Sequence, residues 1–419
     1  MKSKTKEEKI DLYLPVICAL VYVASYLGRH SYNSNITQIR EVLGMSYAES
    51  GLVSTFFFFA YGVGQFIHGF LCRHYKEKII IPVVLSVCAL TNLLVFGGID
   101  FVFYKYLWLI NGIFLSVLWP LLIRILAKYL SKKSLSKAIV LMGGAVTVGY
   151  CCTYLLSAIF AAINFYQLSF LVATIVMIVV AVIWVISYKR LELEKIGVRL
   201  NQEKVDQSKA PVATQSSPAR KTSLIWLIVF LSIYCVFCNT IKDGLHVWLP
   251  SILISKFELS GSLSTFLSII LSVFGLFASM LSVKMNEKMK DYLVETEVLF
   301  VVSSVLILLI IGLLETTQIV LTLICLGIVA LFMHTVGSIV TSIAPLELRE
   351  KMDSGILAGL LNGFCYVGSI ISSYGLGVIA DNFGWAVALY FLFVLSAIPS
   401  VFLLIKCGMK YIKPIFEIK

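Results

Sequence analysis

Tyr22-Val-Ala-Ser-Tyr26-Leu-Gly28-Arg29-His30-Ser-Tyr32-Asn33 sets an arginine deep in an apolar run that starts near Asp11. A central arginine costs roughly 2.5–3.5 kcal/mol on membrane-insertion scales. A chain sustains that cost where the charge faces a protein interior or a watery cavity. Arg29 therefore reads as one wall of a site for an anion, on a membrane helix with a polar inner face. Tyr22, Tyr26 and Arg29 follow one another by four and three residues, so they share one side of that helix.

The composition agrees. Of the 419 residues, 59% are hydrophobic and 14% charged, where soluble domains run at about 45–50% and about 25%. Apolar stretches near membrane-span length recur along the chain, which indicates an all-α membrane protein. A β-barrel would instead alternate over about 10 residues per strand. The net charge of +11 does not point to nucleic acid. Most of the Lys and Arg lie in the segments that an alternating topology places on one side, the pattern of positively charged cytoplasmic loops. The ten cysteines lie almost all in apolar helices without metal-ligand spacing and read as packing residues. Met1–Lys9 is basic, but no small-residue cleavage site follows, so the first apolar run reads as a span and not as a signal peptide.

Twelve spans can be drawn. Six fall within 1–188, ending with Leu168–Tyr188. A polar segment, 189–222, carries eight Lys and Arg with Pro211 and Pro218, and reads as a basic linker. Six more spans occupy 223–419, the last two at Ser354–Ala380 and Trp385–Ile405. An even number of spans puts both termini and the linker on the cytoplasmic side of a cell membrane, expected to be a bacterial inner or plasma membrane. The halves echo each other. Gly51-Leu-Val-Ser54-Thr55-Phe56 opens span two and Gly261-Ser-Leu-Ser264-Thr265-Phe266 opens span eight. Arg29 precedes the first motif, and Lys242 precedes the second, at similar distances. The layout predicts a duplicated carrier fold of two six-helix bundles with its site between them.

Lys242 lies in Asn239-Thr-Ile-Lys242-Asp243-Gly-Leu-His246-Val-Trp248-Leu-Pro250. Adjacent helix residues point about 100° apart, so a Lys242–Asp243 pair is disfavoured and Asp243 is expected to face another partner. Two cations on one cavity repel by about 1.7 kcal/mol at about 10 Å and an effective dielectric of 20, and a bound dianion reverses that sign. Arginine adds a planar fork for oxyanions. Tyr61, Gln65 and His68 share a face of span two. His30, His68, His246 and His334 lie in or beside spans, where a proton role competes with simple packing. No nucleophile triad, phosphate loop, metal cluster or cofactor motif is present, and no enzyme activity is expected.

These residues resemble the major facilitator superfamily, and more narrowly the organophosphate:phosphate antiporters, the glycerol-3-phosphate and hexose-phosphate transporters. Tyr22, Tyr26 and Arg29 match the Tyr-x-x-x-Tyr-x-x-Arg pattern of span one, whose Arg binds phosphate in the family. Gly244, Trp248 and Pro250 match the Gly-x-x-x-Trp-x-Pro stretch, with Lys242 at the family's second phosphate-binding Arg. Tyr61 matches the span-two tyrosine. Asn111-Gly112 through Trp119-Pro120 is similar to the span-four signature, and Ala358-Gly359-Leu-Leu-Asn362-Gly-Phe364-Cys-Tyr366-Val-Gly368 to the run in span eleven. The family's span-two Lys falls on Gln65, its span-five His on Val146, and the superfamily's loop motif is degraded to Gly69-Phe-Leu-Cys-Arg73-His74.

The resemblance implies a major facilitator fold and a monomeric secondary carrier that exchanges sugar or glycerol phosphate for inorganic phosphate. Arg29 and Lys242 would clamp the anionic head, and Tyr22, Tyr26, Tyr61, Gln65 and Tyr366 would contact the rest. His30, His68, Asp243, His246, Trp119 and Asn362 are expected as coupling or supporting groups. The competing readings are a proton- or cation-coupled organic carboxylate symporter, with Asp243 or a histidine as the coupling group, and a transporter-like sugar-phosphate receptor.

Overall fold

A computed structural model describes residues 6–191, 193, 218–348, 351–352 and 354–416. The predicted linker lies almost wholly outside them. Ten helices cross singly: Ile10–Ser34, Tyr47–His74, Glu77–Phe96, Phe101–Tyr129, Lys137–Ala162, Leu168–Arg190, Leu224–Phe257, Gly261–Met289, Tyr292–Leu313 and Ile319–Glu347. The eleventh apolar helix, Ile356–Val401, is 46 residues long, roughly 69 Å at 1.5 Å per residue and twice a bilayer core. It is the two last predicted spans in one. Instead of the expected loop, a single residue turns the chain: Gly384 adopts φ 79°, ψ 170°, a conformation open only to glycine. Counted as spans one to twelve, these helices form two six-helix bundles. No strand occurs among the described residues.

In the first bundle span one packs on spans five and six, span two on four, and span three on six. In the second, span seven packs on eleven, eight on ten, and nine on ten and the last helix. Spans two and eleven, and spans five and eight, join the halves. Phe59, Val63, Phe66 and Phe70 stay exposed along the outside of span two, at the spacing of a lipid-facing stripe.

Prolines and π-helical turns shape the helices that face the middle. Pro250 has no N–H to offer the His246 carbonyl, and that carbonyl accepts the Tyr154 hydroxyl at 2.6 Å, a bond from one half to the other. Span four breaks around Ser116 and Val117, one turn before Pro120. Spans ten and eleven each carry a π-helical turn, at Ile339–Ile343 and Ile371–Gly375. Such turns release carbonyls from the regular ladder, and the Ser372 carbonyl accepts Trp248 Nε1 at 3.1 Å.

The linker face is where span six ends and span seven begins; the opposite face is sealed. There Tyr47, Trp248 and Trp385 stack, with centroids 4.9–5.8 Å apart. Gly51 lies against the Ser373 carbonyl and Gly261 against the Gln38 amide, so both echoed glycines mark contacts between halves. The expectation that the two motifs open their helices alike is adjusted: span eight begins at Gly261, whereas span two begins four residues before Gly51. Asp381, at the end of span eleven, accepts hydrogen bonds from the Tyr47 and Ala48 N–H groups at 2.9 and 2.8 Å. It thus caps a helix of the other half. Asp381→Ala should cost this closed face about 1 kcal/mol, opening it roughly fivefold more often. Spin labels at Ile163 and Thr317, on that face in the two halves, should report a larger long-distance population.

Candidate functional site

The residues around Arg29 are pinned from behind. Asn92 of span three and Asn111 of span four both donate to the Gly28 carbonyl, at 3.1 and 3.4 Å. Ser31 hydrogen-bonds Asn92 at 2.7 Å. Gly28 has no Cβ because Met177 of span six fills that place. With the back of this turn fixed, Arg29 points to the centre of the molecule. Its guanidinium carbon lies 4.4 Å from the Tyr61 ring centroid, 5.0 Å from Phe57 and 5.4 Å from Tyr26. No carboxylate pairs with it among the described residues, and its Nε is buried without a partner. A buried guanidinium held by aromatic faces alone keeps its donors for a ligand.

Two chambers meet at this point. The inner one, about 200 Å³, is lined by Tyr26 and Arg29 of span one, Tyr150 of span five, Lys242 and Asp243 of span seven, and His334 of span ten. The outer one, about 410 Å³, is lined by Tyr22, Tyr61, Gln65 and Trp119 from the first half. Thr341, Asn362 and Tyr366 of the second half form walls common to both. The outer chamber reaches Gly69, Ile123 and Ala358, near the linker-face ends of spans two, four and eleven. The site is therefore approached from the linker face and closed from the other.

Most of the expected site residues meet here. Arg29 and Lys242 line one chamber from opposite halves. Gln65 Nε2 donates to the Tyr61 hydroxyl at 3.0 Å, and Asn362 donates to Gln65 Oε1 at 3.4 Å. That chain of amides crosses the cavity where the resembled family has a lysine. Tyr22 stacks between Tyr26 and Trp119 at 5.2 and 5.0 Å. Tyr61 and Tyr366 face each other at 5.0 Å. His30 sits behind Arg29 with its ring 4.3 Å from Tyr150. His246 lies one layer out, stacked on Tyr150 at 4.8 Å. His68 stands apart from both chambers, its Nδ1 2.6 Å from the Tyr75 hydroxyl.

One expectation needs correcting. Lys242 does pair with Asp243, Nζ to Oδ1 3.5 Å. The Cβ vectors diverge, but the four-carbon lysine stem is long enough to fold back. Asp243 also has the other partners expected of it: Ser369 donates a short hydrogen bond to Oδ2, and Asn239 a longer one at 3.3 Å. Tyr150, Ser369 and Asn239 were not singled out from sequence. Tyr150 was within reach, since it lies one turn from Val146 and one turn from Tyr154 on the same face.

A family model described as Major Facilitator Superfamily matches residues 18–352. The chain belongs to the major facilitator superfamily. It is a multi-pass membrane transporter of that superfamily, and the neighbours that share its fold are transporters too. A bacterial homologue of the human lysosomal transporter Spinster, in an inward-facing and occupied conformation, superposes with TM-score 0.73. The identity is 15%, over 96% of this chain and 97% of that one. The nucleoside transporter NupG gives TM-score 0.65 at 11% identity over 93% and 99%. A probable hexose phosphate transport protein of Chlamydia pneumoniae is 24% identical over 132 residues, 32% of this chain and 29% of that protein. Sugar phosphate exchanger 3 of Xenopus laevis is 28% identical over 106 residues, 24% and 21%. The chain thus matches less than a third of the length of these two relatives.

Proposed function

We propose that this transporter exchanges small organic phosphates, a sugar phosphate or glycerol phosphate, for inorganic phosphate by alternating access. One observation carries the reading: Arg29 and Lys242, contributed by opposite halves, line one chamber whose only carboxylate among the described residues is Asp243. Arg29 would grip phosphate oxygens through its fork, and Lys242 would act as a point charge on the other side. The aromatic and amide walls of the outer chamber would hold the organic part, in a volume within the range of small-molecule sites. Because each cation belongs to a different half, a bound phosphate draws the halves together, which is what a rocking carrier needs. The names of the two short-matching relatives support the same substrate class. In this proposal residues 1–188 and 223–419 rock as two bodies in a plasma membrane. The linker and termini are cytoplasmic, and the unit is a monomer.

Ligand-induced thermal stabilisation tests the substrate class. Glucose 6-phosphate and inorganic phosphate should raise the melting temperature of the purified protein, whereas glucose and succinate should not. Lys242→Gln should weaken the phosphate response by roughly tenfold to a hundredfold, the loss of one charge-assisted contact. Equal stabilisation by glucose or succinate would show that the cavity does not select phosphate.

A further inference from the structure

His246 and His334 come from spans seven and ten, and their Nε2 atoms lie 3.3 Å apart. The rings are nearly perpendicular, with centroids 5.6 Å apart. His334 lines the inner chamber beside Lys242 and Asp243, while His246 lies behind it, buried and stacked on Tyr150. Gly275 of span eight backs the His334 ring, where a Cβ would meet Cδ2 at 3.1 Å, so the ring is confined. A contact between two Nε2 atoms is stable only when one of them carries a proton and the other offers a lone pair. In the neutral pair the acceptor ring keeps its proton on Nδ1, and the donor ring has a free Nδ1 lone pair. One further proton can land on that lone pair. The existing Nε2–H···Nε2 bond then becomes charge-assisted.

The charge balance of the chamber gives that proton a purpose. Arg29 and Lys242 are its cations and Asp243 its anion, leaving one net positive charge. A phosphate monoester dianion outweighs this by one. The groups facing the pair are Cys238, Lys242 and Asp243 of span seven, Arg29, His30 and Tyr26 of span one, Tyr150 and Tyr154 of span five, and Cys365 and Tyr366 of span eleven. Span eight brings no titratable side chain between Gly261 and Gly275. The carboxylates of span nine, Glu295 and Glu297, lie at its linker-face end. No other described carboxylate shares the chamber with Asp243.

We propose that His246 and His334 form a proton-binding site, and that the carrier takes up one proton with each dianion, so that anion and proton cross together. This rests on the anion-site reading above. Isothermal calorimetry on the purified full chain at pH 7.5, in buffers of different ionisation enthalpy, counts the protons. Glucose 6-phosphate is the probe, because its second pKa near 6 makes it mostly a dianion there. Wild type should take up about one proton per sugar phosphate bound. His334→Gln and His246→Gln should still bind it, with uptake falling to near zero. Asp243→Asn, which removes the negative charge, should also bind without a proton. No uptake by wild type, or uptake in both histidine variants undiminished from wild type, would overturn the proposal while leaving the anion site standing. Should glucose 6-phosphate not bind at all, the anion-site reading fails, and nitrogen NMR of labelled histidines decides the proton site alone. Rings that titrate as one unit, and separately once the partner is replaced, support it; two independent titrations in wild type overturn it.

Discussion

Arg29→Ala should lower the affinity for glucose 6-phosphate and its uptake by roughly thirtyfold or more, and leave the fold intact. The guanidinium is buried, so a phosphate would meet it in surroundings of lower dielectric than water. Truncating one partner of a buried charged contact costs about 2–5 kcal/mol, or roughly thirtyfold to several thousandfold. The stability side is different. Arg29 makes no ion pair among the described residues and its Nε has no partner, so removing it orphans no other group. What is lost is cation–π contact with Tyr61, Phe57 and Tyr26, about 0.5–2 kcal/mol. The uncompensated desolvation of a buried cation disappears at the same time. Binding and transport should therefore fail in a protein whose melting temperature is unchanged or higher. Arg29→Lys keeps the charge but loses the fork, and should fall between wild type and the alanine variant. Binding by calorimetry and uptake in liposomes, each beside a melting curve, checks all three statements.

Gly51→Val should slow transport roughly fivefold to a hundredfold by a route that spares the site. Gly51 lies on the face opposite the linker, against the Ser373 carbonyl and the edge of Trp248. Thr55, one turn on, bonds Ser373 across the halves at 2.8 Å. A side chain added at Gly51 would enter backbone, which cannot rotate away as a flexible side chain can. Overpacking of this kind costs about 1–3 kcal/mol, and the cost falls only on the state in which this face is closed. Since a carrier must close each face in turn, the population able to complete a cycle drops by the corresponding factor. Spin labels at Ile163 and Thr317 should move toward longer distances. Sugar phosphate added from the now favoured side should bind with undiminished affinity. Weakened binding with unchanged distances would place Gly51 in the site and not in the gate.

The readability of the site in the sequence follows from how local each signal is. Arg29 announces itself because one charge in an apolar helix is costly wherever the helix sits. Lys242 is found through the half-repeat, and the tyrosines of spans one and two through helical spacing. Groups whose role depends on distant partners are silent. His334 can be noted in its span, with Ser338 and Thr341 following on the same face, but its pairing cannot be read there, because His246 is 88 residues away. The Asp381 cap on span two joins residues more than 300 positions apart. The Lys242–Asp243 pair escapes the spacing rule because Cβ directions decide short side chains and not long ones. The turn between the last two spans is compressed into Gly384, where sequence patterning asks for several residues. Pro250 sat in plain view, yet its consequence, a free His246 carbonyl for Tyr154, needs the other half of the molecule in place.

The central claim is exchange across a two-cation site, and counterflow in reconstituted liposomes tests it directly. Vesicles preloaded with inorganic phosphate should accumulate labelled glucose 6-phosphate saturably, vesicles lacking internal phosphate should not, and Arg29→Ala should abolish the difference. Uptake of glucose 6-phosphate that is independent of internal phosphate and unaltered by Arg29→Ala would contradict the account.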